Sequence, residues 1–184
     1  MPPLGVTNRK WPSSETSIAI TSSTPFSFAS STATIISAPH ISHATNRLRA
    51  LRWDAESGTA VLEAGLLGPR AEALLAEHGL TLGHFPQSFE YASIGGFAAT
   101  RSSGQASSGY GRFDALVAGL RVATPLGTLE LGSAPANAAG PDLRELVLGS
   151  EGAFGVITAV RVRVRPVPAV RLYETWRLES CAAG

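Results

Sequence analysis

The chain has 184 residues, 44% of them hydrophobic and 16% charged, which is enough for one domain with a packed core and too few for two comfortable ones. A formal net charge of +1 with scattered arginines offers no basic face to a run of phosphates, which argues against nucleic-acid binding. The single cysteine, Cys181, excludes an internal disulfide framework.

The N-terminal part of the chain is expected to form a poorly ordered arm. Residues 13–37 are mainly Ser, Thr and Ala, carry Glu15 as their only charge and show no helical or alternating period. The alternative is one or two short strands, because Ile18–Thr21 and Ala33–Ile36 contain β-branched residues.

A β-hairpin is predicted next. Leu48, Leu51 and Trp53 lead into a polar turn at Asp54–Gly58, and the apolar run Thr59–Gly65 follows it. This pattern is typical of two antiparallel strands.

A helix is predicted to begin at Gly68–Pro69, because proline at the first helical position loses no hydrogen bond. Side chains then recur at helical spacing until Gly79 ends the helix: Ala71, Leu74, Leu75 and His78.

A second hairpin is predicted around Pro125–Gly127. Proline supplies a fixed φ and glycine a permissive one between the apolar runs Leu116–Thr124 and Thr128–Leu131. A short helix from Pro141 or Asp142 to Leu148 is expected to end at Gly149.

The last predicted strand, Val156–Arg165, alternates between apolar residues and arginines, which indicates a half-buried strand. Its arginine face, Arg161, Arg163 and Arg165, is interpreted as solvated. The alternative to a solvated face is an arginine face that is covered by another domain or that attracts anionic ligands. Strands mixed with short helices and tight turns predict an α+β domain, since long crossover helices are missing.

Small residues cluster between Pro86 and Gly104, a pattern that indicates close approach of the backbone to another group. Gly95 and Gly96 lack Cβ, so their amides can turn inward as a nest for an anion. Hydroxyl groups able to donate to phosphate oxygens lie at Ser88, Ser93, Thr100 and Ser102. The residues fit a plain Gly-Gly turn with surface hydroxyl groups as well, and the pattern by itself favours that alternative.

Three further glycines, Gly149, Gly152 and Gly155, precede the last strand. Each costs about 0.5–1 kcal/mol of conformational entropy relative to alanine. Three together indicate either a ligand close to the backbone or a purely structural need for unusual φ angles, and the spacing leaves both open.

The sequence lacks the residue spacing of several well-known nucleotide and metal sites. No glycine-rich segment precedes Lys-Ser or Lys-Thr, and no G-x-G-x-x-G opens a helix after a strand, so neither a P-loop nor a Rossmann site is predicted. His40 and His43 lack an acidic or cysteine ligand at zinc-like spacing, so we predict no metal site. No segment is apolar enough for export or a membrane span, and we expect a cytoplasmic protein.

Three ordered blocks of the sequence carry a resemblance to a known family. They are Gly83–Ser88 with Ser93–Gly96, then Thr100–Gly104 through Tyr110–Gly111, and finally Gly149–Gly152 through Gly155–Thr158. Together they resemble the FAD-binding domain of the vanillyl-alcohol oxidase superfamily, the p-cresol methylhydroxylase type. The Thr-Arg-Ser-Ser-Gly block favours its alkylglycerone-phosphate synthase branch, because D-lactate and glycolate oxidising relatives usually have Asn-Ala-Gly-Gly-type residues there.

The resemblance runs from about Ile41 to Leu178. It implies the second half of such a domain over 41–178, a mixed sheet with short helices, after an arm at 1–40 and before a tail at 179–184. It also implies FAD as the cofactor, held mostly through backbone amides and small side chains. The implied FAD contacts are Pro86, Gln87, Ser88, Phe89, Glu90, Tyr91, Ala92, Ser93, Gly95, Gly96, Ala99, Thr100, Arg101, Ser102, Glu151, Gly152, Ala153, Phe154, Gly155, Val156 and Ile157.

The activity that the resemblance implies is the exchange of an acyl for an alkyl group on dihydroxyacetone phosphate. The alternative inside the same superfamily is FAD-dependent oxidation of a 2-hydroxy acid such as D-lactate or glycolate. An alternative of another class is a non-catalytic truncated module.

The departures from the family pattern lie at both ends of the chain. The family's glycine-rich pyrophosphate loop precedes the block that starts at Ile41, and residues 1–40 contain no segment like it. The family's catalytic and phosphate-binding residues lie in a cap domain that follows, so we name no catalytic residue and expect the substrate site mostly outside this chain. The residues leave the oligomeric state open. We expect the chain alone to bind FAD weakly, with a dissociation constant no lower than about a micromolar, or not at all.

Overall fold

The computed structural model describes residues 47–132 and 140–170, together with the isolated positions 138, 172, 174, 175 and 177. The predicted arm over 1–40, the alternative strands at Ile18–Thr21 and Ala33–Ile36, and the tail over 179–184 lie outside the described residues. The described residues belong to one compact unit.

A five-stranded antiparallel sheet forms the centre of this unit. Its strands, in the order β1-β2-β6-β4-β5, are β1 (Leu51–Asp54), β2 (Thr59–Glu63), β6 (Val156–Arg163), β4 (Val117–Thr124) and β5 (Gly127–Leu131). A separate two-stranded sheet pairs β3 (Leu80–Thr81) with β7 (Arg165–Pro166). The strands and the short helices between them confirm the α+β class.

Both predicted hairpins are present. β1 pairs antiparallel with β2, and Asp54 faces Thr59 across the first turn, where Gly58 has a φ of +61°. β4 pairs antiparallel with β5, and Thr124 faces Gly127 across the second turn. In both turns the residues that allow a tight reversal stand where the chain reverses, which is why local sequence was sufficient to predict them.

The last predicted strand is divided in the structure. β6 ends at Arg163, and Arg165–Pro166 continues as β7 in the smaller sheet. The interpretation of a solvated arginine face holds only in part, because Arg163 Nη2 donates to Ala115 O at 2.7 Å. The Arg165 guanidinium lies 5.1 Å from the centre of the Tyr110 ring. Two of these arginines therefore also tie the strand to neighbouring segments.

Within the described residues, five helices connect the strands: α1 (Gly68–Ala76), α2 (Ile94–Ala99), α3 (Ser107–Tyr110), α4 (Phe113–Leu116) and α5 (Arg144–Val147). Proline stands at the start of α1, as predicted. This helix ends at Ala76 rather than at Gly79, because the amides of His78 and Gly79 bond three residues back and tighten the last turn. α5 is likewise shorter than the helix predicted to end at Leu148.

The core lies between the large sheet and the helices α1 and α2. α2 packs against β6 and β2, and α1 packs against β3. The largest fully buried apolar side chains are Phe97, Phe113, Leu62, Leu66, Leu75, Leu82, Ile94, Leu120, Val122, Val160 and Val162. Burying each such side chain contributes about 1.5–3 kcal/mol, so α2 is held mainly by its apolar face.

Candidate functional site

The first predicted site segment, Pro86–Ala92, forms a compact turn before α2. The amide of Phe89 donates to Pro86 O, and the amides of Tyr91 and Ala92 both donate to Ser88 O, at distances of 2.9–3.0 Å. Phe89 packs inward, since a Cβ on Gly68 would lie 2.7 Å from its ring. Tyr91 points outward and is 89% exposed. The turn thus has a fixed backbone and an open outer surface.

The two glycines that begin α2 use their amides inside the chain. Gly95 N donates to Ala64 O at 2.9 Å, and Gly96 N donates to Ser93 Oγ at 3.2 Å as part of the helix N-cap. Both amides are therefore used inside the protein, which agrees with the structural alternative that the pattern favours and not with an anion nest at this point. The group that approaches Gly95 closely is Ala64, because a Cβ on Gly95 would lie 2.8 Å from Ala64 Cβ.

This contact leads to a test of why Gly95 is small. We expect Gly95→Ala to lower the free energy of unfolding by about 1–3 kcal/mol, because the added methyl group would overlap the backbone and Cβ of Ala64. Gly109→Ala is the matched control, since a Cβ there would meet no atom within 4 Å. Urea unfolding should leave the control within about 0.5 kcal/mol of the wild type. Equal stabilities for the two variants would contradict the assigned role of Gly95.

The second segment, Ala99–Ser102, ends α2 and begins the next loop. Thr100 Oγ1 donates to Gly96 O at 2.9 Å, so this hydroxyl group is used as a donor within the helix. Ser102 N donates to Phe97 O, and Ser102 O accepts from Phe113 N, each at 2.9 Å. The loop then returns to the first segment, because a Cβ on Gly104 would lie only 2.4 Å from Phe85 O.

The third segment, Glu151–Ile157, meets the end of α2 although it lies far away in sequence. The amide of Gly149 donates to Ala98 O at 3.1 Å, and the amide of Glu151 donates to Ala99 O at 3.0 Å. Glu151, with a φ of +52°, and Gly152, with a φ of +91°, turn the chain outward. Phe154 is 58% exposed. All three predicted segments therefore border α2 and form one connected surface, the α2 surface.

The residues of the α2 surface differ in exposure. Those exposed to solvent are Gln87, Ser88, Glu90, Tyr91, Thr100, Glu151, Gly152, Ala153 and Phe154. Those half-buried are Phe89, Ala92, Ser93, Gly95, Gly96, Ala99, Arg101, Ser102, Gly155 and Val156, whereas Pro86 and Ile157 are buried. A ligand on this surface would thus meet the turn at 87–91 and the loop at 151–154 first.

Arg101 connects the α2 surface to two other elements. Its Nε donates to Leu148 O at 3.0 Å, and its Nη2 donates to Glu145 O at 3.0 Å and to Glu145 Oε2 at 2.6 Å. Its Nη1 donates to Asp114 Oδ2 at 3.1 Å. The hydrogen bond to Glu145 raises the pKa of Arg101 against the opposing effect of burial. Most of the guanidinium donors are therefore occupied by protein acceptors.

Asp114 is the shared acceptor of this network and is one of the residues that sequence reasoning missed. Its carboxylate is 10% exposed and also accepts from Arg112 Nη2 at 2.7 Å. Burial opposes the charged form of Asp114, but the hydrogen bonds and charges of Arg112 and Arg101 outweigh it and lower the pKa. No local signal could have identified this role, because the partners are brought together only by the fold.

His84 belongs to the first block of the resemblance but lies behind the α2 surface. It is 1% exposed, and its ring lies 5.0 Å from Phe97 and 5.1 Å from Phe113. Burial lowers its pKa from 6.5 to about 4, so the ring is neutral at pH 7. It therefore packs as a core side chain.

Comparison with known families agrees with this geometry. The sequence model of a family described as an FAD binding domain matches residues 25–132, which is more than half of the chain. The chain belongs to this FAD-binding domain family. The resemblance was expected to begin at about Ile41, whereas the family match begins 16 residues earlier, at residue 25. The match includes the first two segments of the α2 surface.

This FAD-binding domain is similar to several longer proteins. It is 42% identical over 134 residues to an alkyldihydroxyacetonephosphate synthase of Trypanosoma brucei brucei. The matched region covers 72% of this chain and 21% of that protein. It is 38% identical over 133 residues to the FAD-linked oxidoreductase YgcU of Escherichia coli strain K12, covering 71% of this chain and 28% of that protein. The chain spans 21% and 28% of the lengths of these two curated relatives.

A solved structure of an alkyldihydroxyacetonephosphate synthase has the same fold as this FAD-binding domain. The TM-score is 0.63 at 40% identity, and the match covers 68% of this chain and 23% of the solved chain. The described part of the domain contains no helix with the length and apolarity needed to cross a bilayer.

The backbone of the loop at 151–154 has features that a bound FAD molecule would require. A Cβ on Gly152 would meet only Gly155 O, at 4.0 Å, so the backbone is open to an approaching group. Within the described part of the chain, the amides of Gly152 and Phe154 donate to no protein acceptor. Two amides without a protein acceptor, in exposed residues of which one carries an aromatic ring, suit a nucleotide that has both phosphate and an aromatic base. The residues fit FAD.

Proposed function

We propose that this chain forms the FAD-binding part of a flavoenzyme of the alkyldihydroxyacetonephosphate synthase type. The observation that carries the proposal is the junction of the end of α2 with the loop at 149–155, since it joins the segments implied as FAD contacts into one surface. The similarity to synthases from Trypanosoma brucei brucei and Dictyostelium discoideum, at 42% and 40% identity, supports the choice of enzyme class.

In the proposed site the chain binds and orients FAD and performs no proton transfer. The open amides of Gly152 and Phe154 and the hydroxyl group of Ser88 would hold the cofactor. The exposed ring of Tyr91 adds apolar contact area. When bound, FAD supplies the reactive ring system for the chemistry. The groups that act on the substrate are proposed to lie outside this chain, which spans only a small part of its relatives.

A charge placed on the loop at 151–154 tests the proposed FAD contacts. Ala153 is exposed, and we expect Ala153→Asp to weaken FAD binding at least about fivefold, because like charges near the pyrophosphate cost on the order of 1 kcal/mol. Ala55→Asp is the matched control, because Ala55 is exposed in the first hairpin turn, at the opposite end of β6 from Gly155. Titration followed by quenching of flavin fluorescence measures both variants against the wild type.

The wild-type titration also tests the expectation of weak binding. The sequence predicts a dissociation constant above about a micromolar or no binding, and a lower constant would contradict it, whereas the proposed site requires binding that can be measured. Saturation-transfer NMR extends the measurement into the millimolar range, and a complete lack of transfer to FAD would contradict a cofactor site in this chain. Equal affinities for Ala153→Asp and Ala55→Asp would contradict the assigned contacts.

The second candidate is an FAD-dependent oxidoreductase of the 2-hydroxy-acid type. The similarity to a mitochondrial D-lactate dehydrogenase of Arabidopsis thaliana, 36% identical over 124 residues, supports it less strongly. An antibody raised against this chain would identify the native protein. Synthase activity without D-lactate oxidation in the purified native protein would decide for the first candidate, and the reverse would decide for the second.

The size and location of the native protein are tested with the same antibody. A native protein no longer than 184 residues with neither activity would support the non-catalytic module. The cytoplasmic location stays a prediction, and cell fractionation followed by immunoblotting would check it.

A further inference from the structure

Arg101 stands at the point where the second and third FAD segments meet. The carbonyl groups of Ala98 and Ala99, just before it, accept the amides of Gly149 and Glu151. Its guanidinium spans the same junction by donating to Leu148 O, 47 residues away in sequence. Three connections thus fix the loop at 149–155 to the end of α2.

The backbone of this junction is strained on both sides. Among the described residues, Arg101 and Glu151 are the two non-glycine positions with positive φ, at +48° and +52°. Such angles cost free energy in residues that carry a Cβ, so the surrounding contacts have to hold them in place. The contacts at hand are the two backbone hydrogen bonds and the Arg101 side chain.

The Arg101 side chain also packs directly on the loop. A Cβ added to Gly149 would lie 2.9 Å from Arg101 Nε and 3.0 Å from its Cδ. The guanidinium has little freedom to leave this position, since Asp114 holds one end and Glu145 holds the other. Because its guanidinium is paired with both carboxylates, Arg101 fixes the loop relative to α4 and α5.

We propose that Arg101 is a positioning residue for FAD, whose guanidinium aligns the loop at 149–155 with α2 instead of contacting the cofactor. The inference rests on the proposed FAD site. It changes the role implied by the resemblance, in which Arg101 is a contact. The open amides of Gly152 and Phe154 then keep one orientation relative to the turn at 87–91, and FAD affinity depends on that orientation.

The test compares Arg101→Met with Arg112→Met. The first variant keeps the aliphatic stem and removes every donor to the loop. The second removes Arg112, the other partner of Asp114, whose side-chain hydrogen bonds within the described residues go to Asp114 and not to the loop. Hydrogen exchange without FAD should become at least about tenfold faster at the amides of Gly149 and Glu151 in Arg101→Met, the effect expected from losing a charge-assisted hydrogen bond. In Arg112→Met these amides should stay close to wild type.

A core amide distinguishes positioning from a general loss of stability. The amide of Leu120, in β4, serves as the internal reference. We expect its exchange to change much less than that of Gly149 and Glu151. Equal acceleration at all three amides would overturn the proposal. Arg101→Lys should restore part of the protection, because it keeps the charge near Glu145 and Asp114.

FAD titration completes the test. Arg101→Met should weaken FAD binding at least about threefold, because apparent affinity falls with the fraction of molecules whose loop keeps the binding orientation. Faster exchange with unchanged affinity would overturn the positioning role while leaving the proposed FAD site intact. Lack of FAD binding in the wild type would contradict the proposed function and with it this inference, whereas the exchange data would still show whether Arg101 holds the loop. Glu145→Gln, at an exposed carboxylate, removes one contact with little risk to folding and should act in the same direction.

Discussion

Replacing Arg144 with methionine is expected to lower the free energy of unfolding by about 3–5 kcal/mol. The Arg144 side chain is 8% exposed, and its Nη1 donates to Val117 O at 3.1 Å and to Ala118 O at 2.8 Å. These carbonyl groups lie where the pairing of β4 with β6 shifts register, between Val117 and Gly119. Methionine would fill much of the space but would remove the Arg144 donor from both backbone acceptors.

The other end of the Arg144 guanidinium adds to this loss. Nε donates to both carboxylate oxygens of Asp142, at 2.9 and 3.0 Å. Removing the arginine leaves Asp142 without the partner that lowers its pKa. Removing only the arginine of this ion pair is costly, because the negative charge of Asp142 then has no positive partner in Arg144.

Urea unfolding followed by circular dichroism measures the effect of Arg144→Met. Glu130→Gln is the control, because it breaks the exposed cross-strand ion pair with Arg121 and should cost no more than about 1 kcal/mol. A loss below that of the control would show that the register shift in β4 does not depend on Arg144.

Acidification from pH 7.5 to pH 4 is expected to remove about 3 kcal/mol of stability through His84 alone. The ring is buried between two phenylalanines, and within the described residues both of its nitrogens lack a hydrogen-bond partner. The folded pKa of about 4 lies below the unfolded value of 6.5, so the unfolded chain takes up the proton first. Stability is therefore complete above pH 6.5 and falls progressively down to pH 4.

His84→Leu is the variant that isolates this contribution. Leucine cannot be protonated and has no orphaned nitrogen, so unfolding should depend much less on pH between 6.5 and 4, with stability at pH 7.5 within about 1 kcal/mol of wild type. The lowered pKa values of Asp114 and Asp142 act only below their ordinary range, at lower pH than His84. An unchanged slope in His84→Leu would refute the assignment.

The hairpins and α1 could be predicted because their determinants are local. Gly58 and Pro125–Gly127 stand in the turns themselves, and Pro69 stands at the helix start. Helix ends were less predictable. The last turn of α1 is tightened by backbone hydrogen bonds, and no side chain in the sequence indicates that they form.

The α2 surface could be predicted only in its parts. Small residues correctly marked close backbone contacts, but the partner of Gly95 is Ala64 rather than an anion, and sequence spacing cannot distinguish a protein neighbour from a ligand. The meeting of Ala98 with Gly149 was not predictable either, because it depends on α2 and β6 packing together. The structural roles of Arg101 and Arg144 have the same long-range origin.

The strand order of the large sheet has a consequence for how the chain folds. β6, the last strand of the large sheet in chain order, pairs with both β2 and β4, so it separates two hairpins that are made earlier. On the ribosome those hairpins would wait with unpaired inner edges until residue 163 has emerged. Pairings so distant in sequence close slowly, and the waiting edges are open to pairing with other chains. Synthesis rate and chaperone supply should therefore govern the yield of native protein.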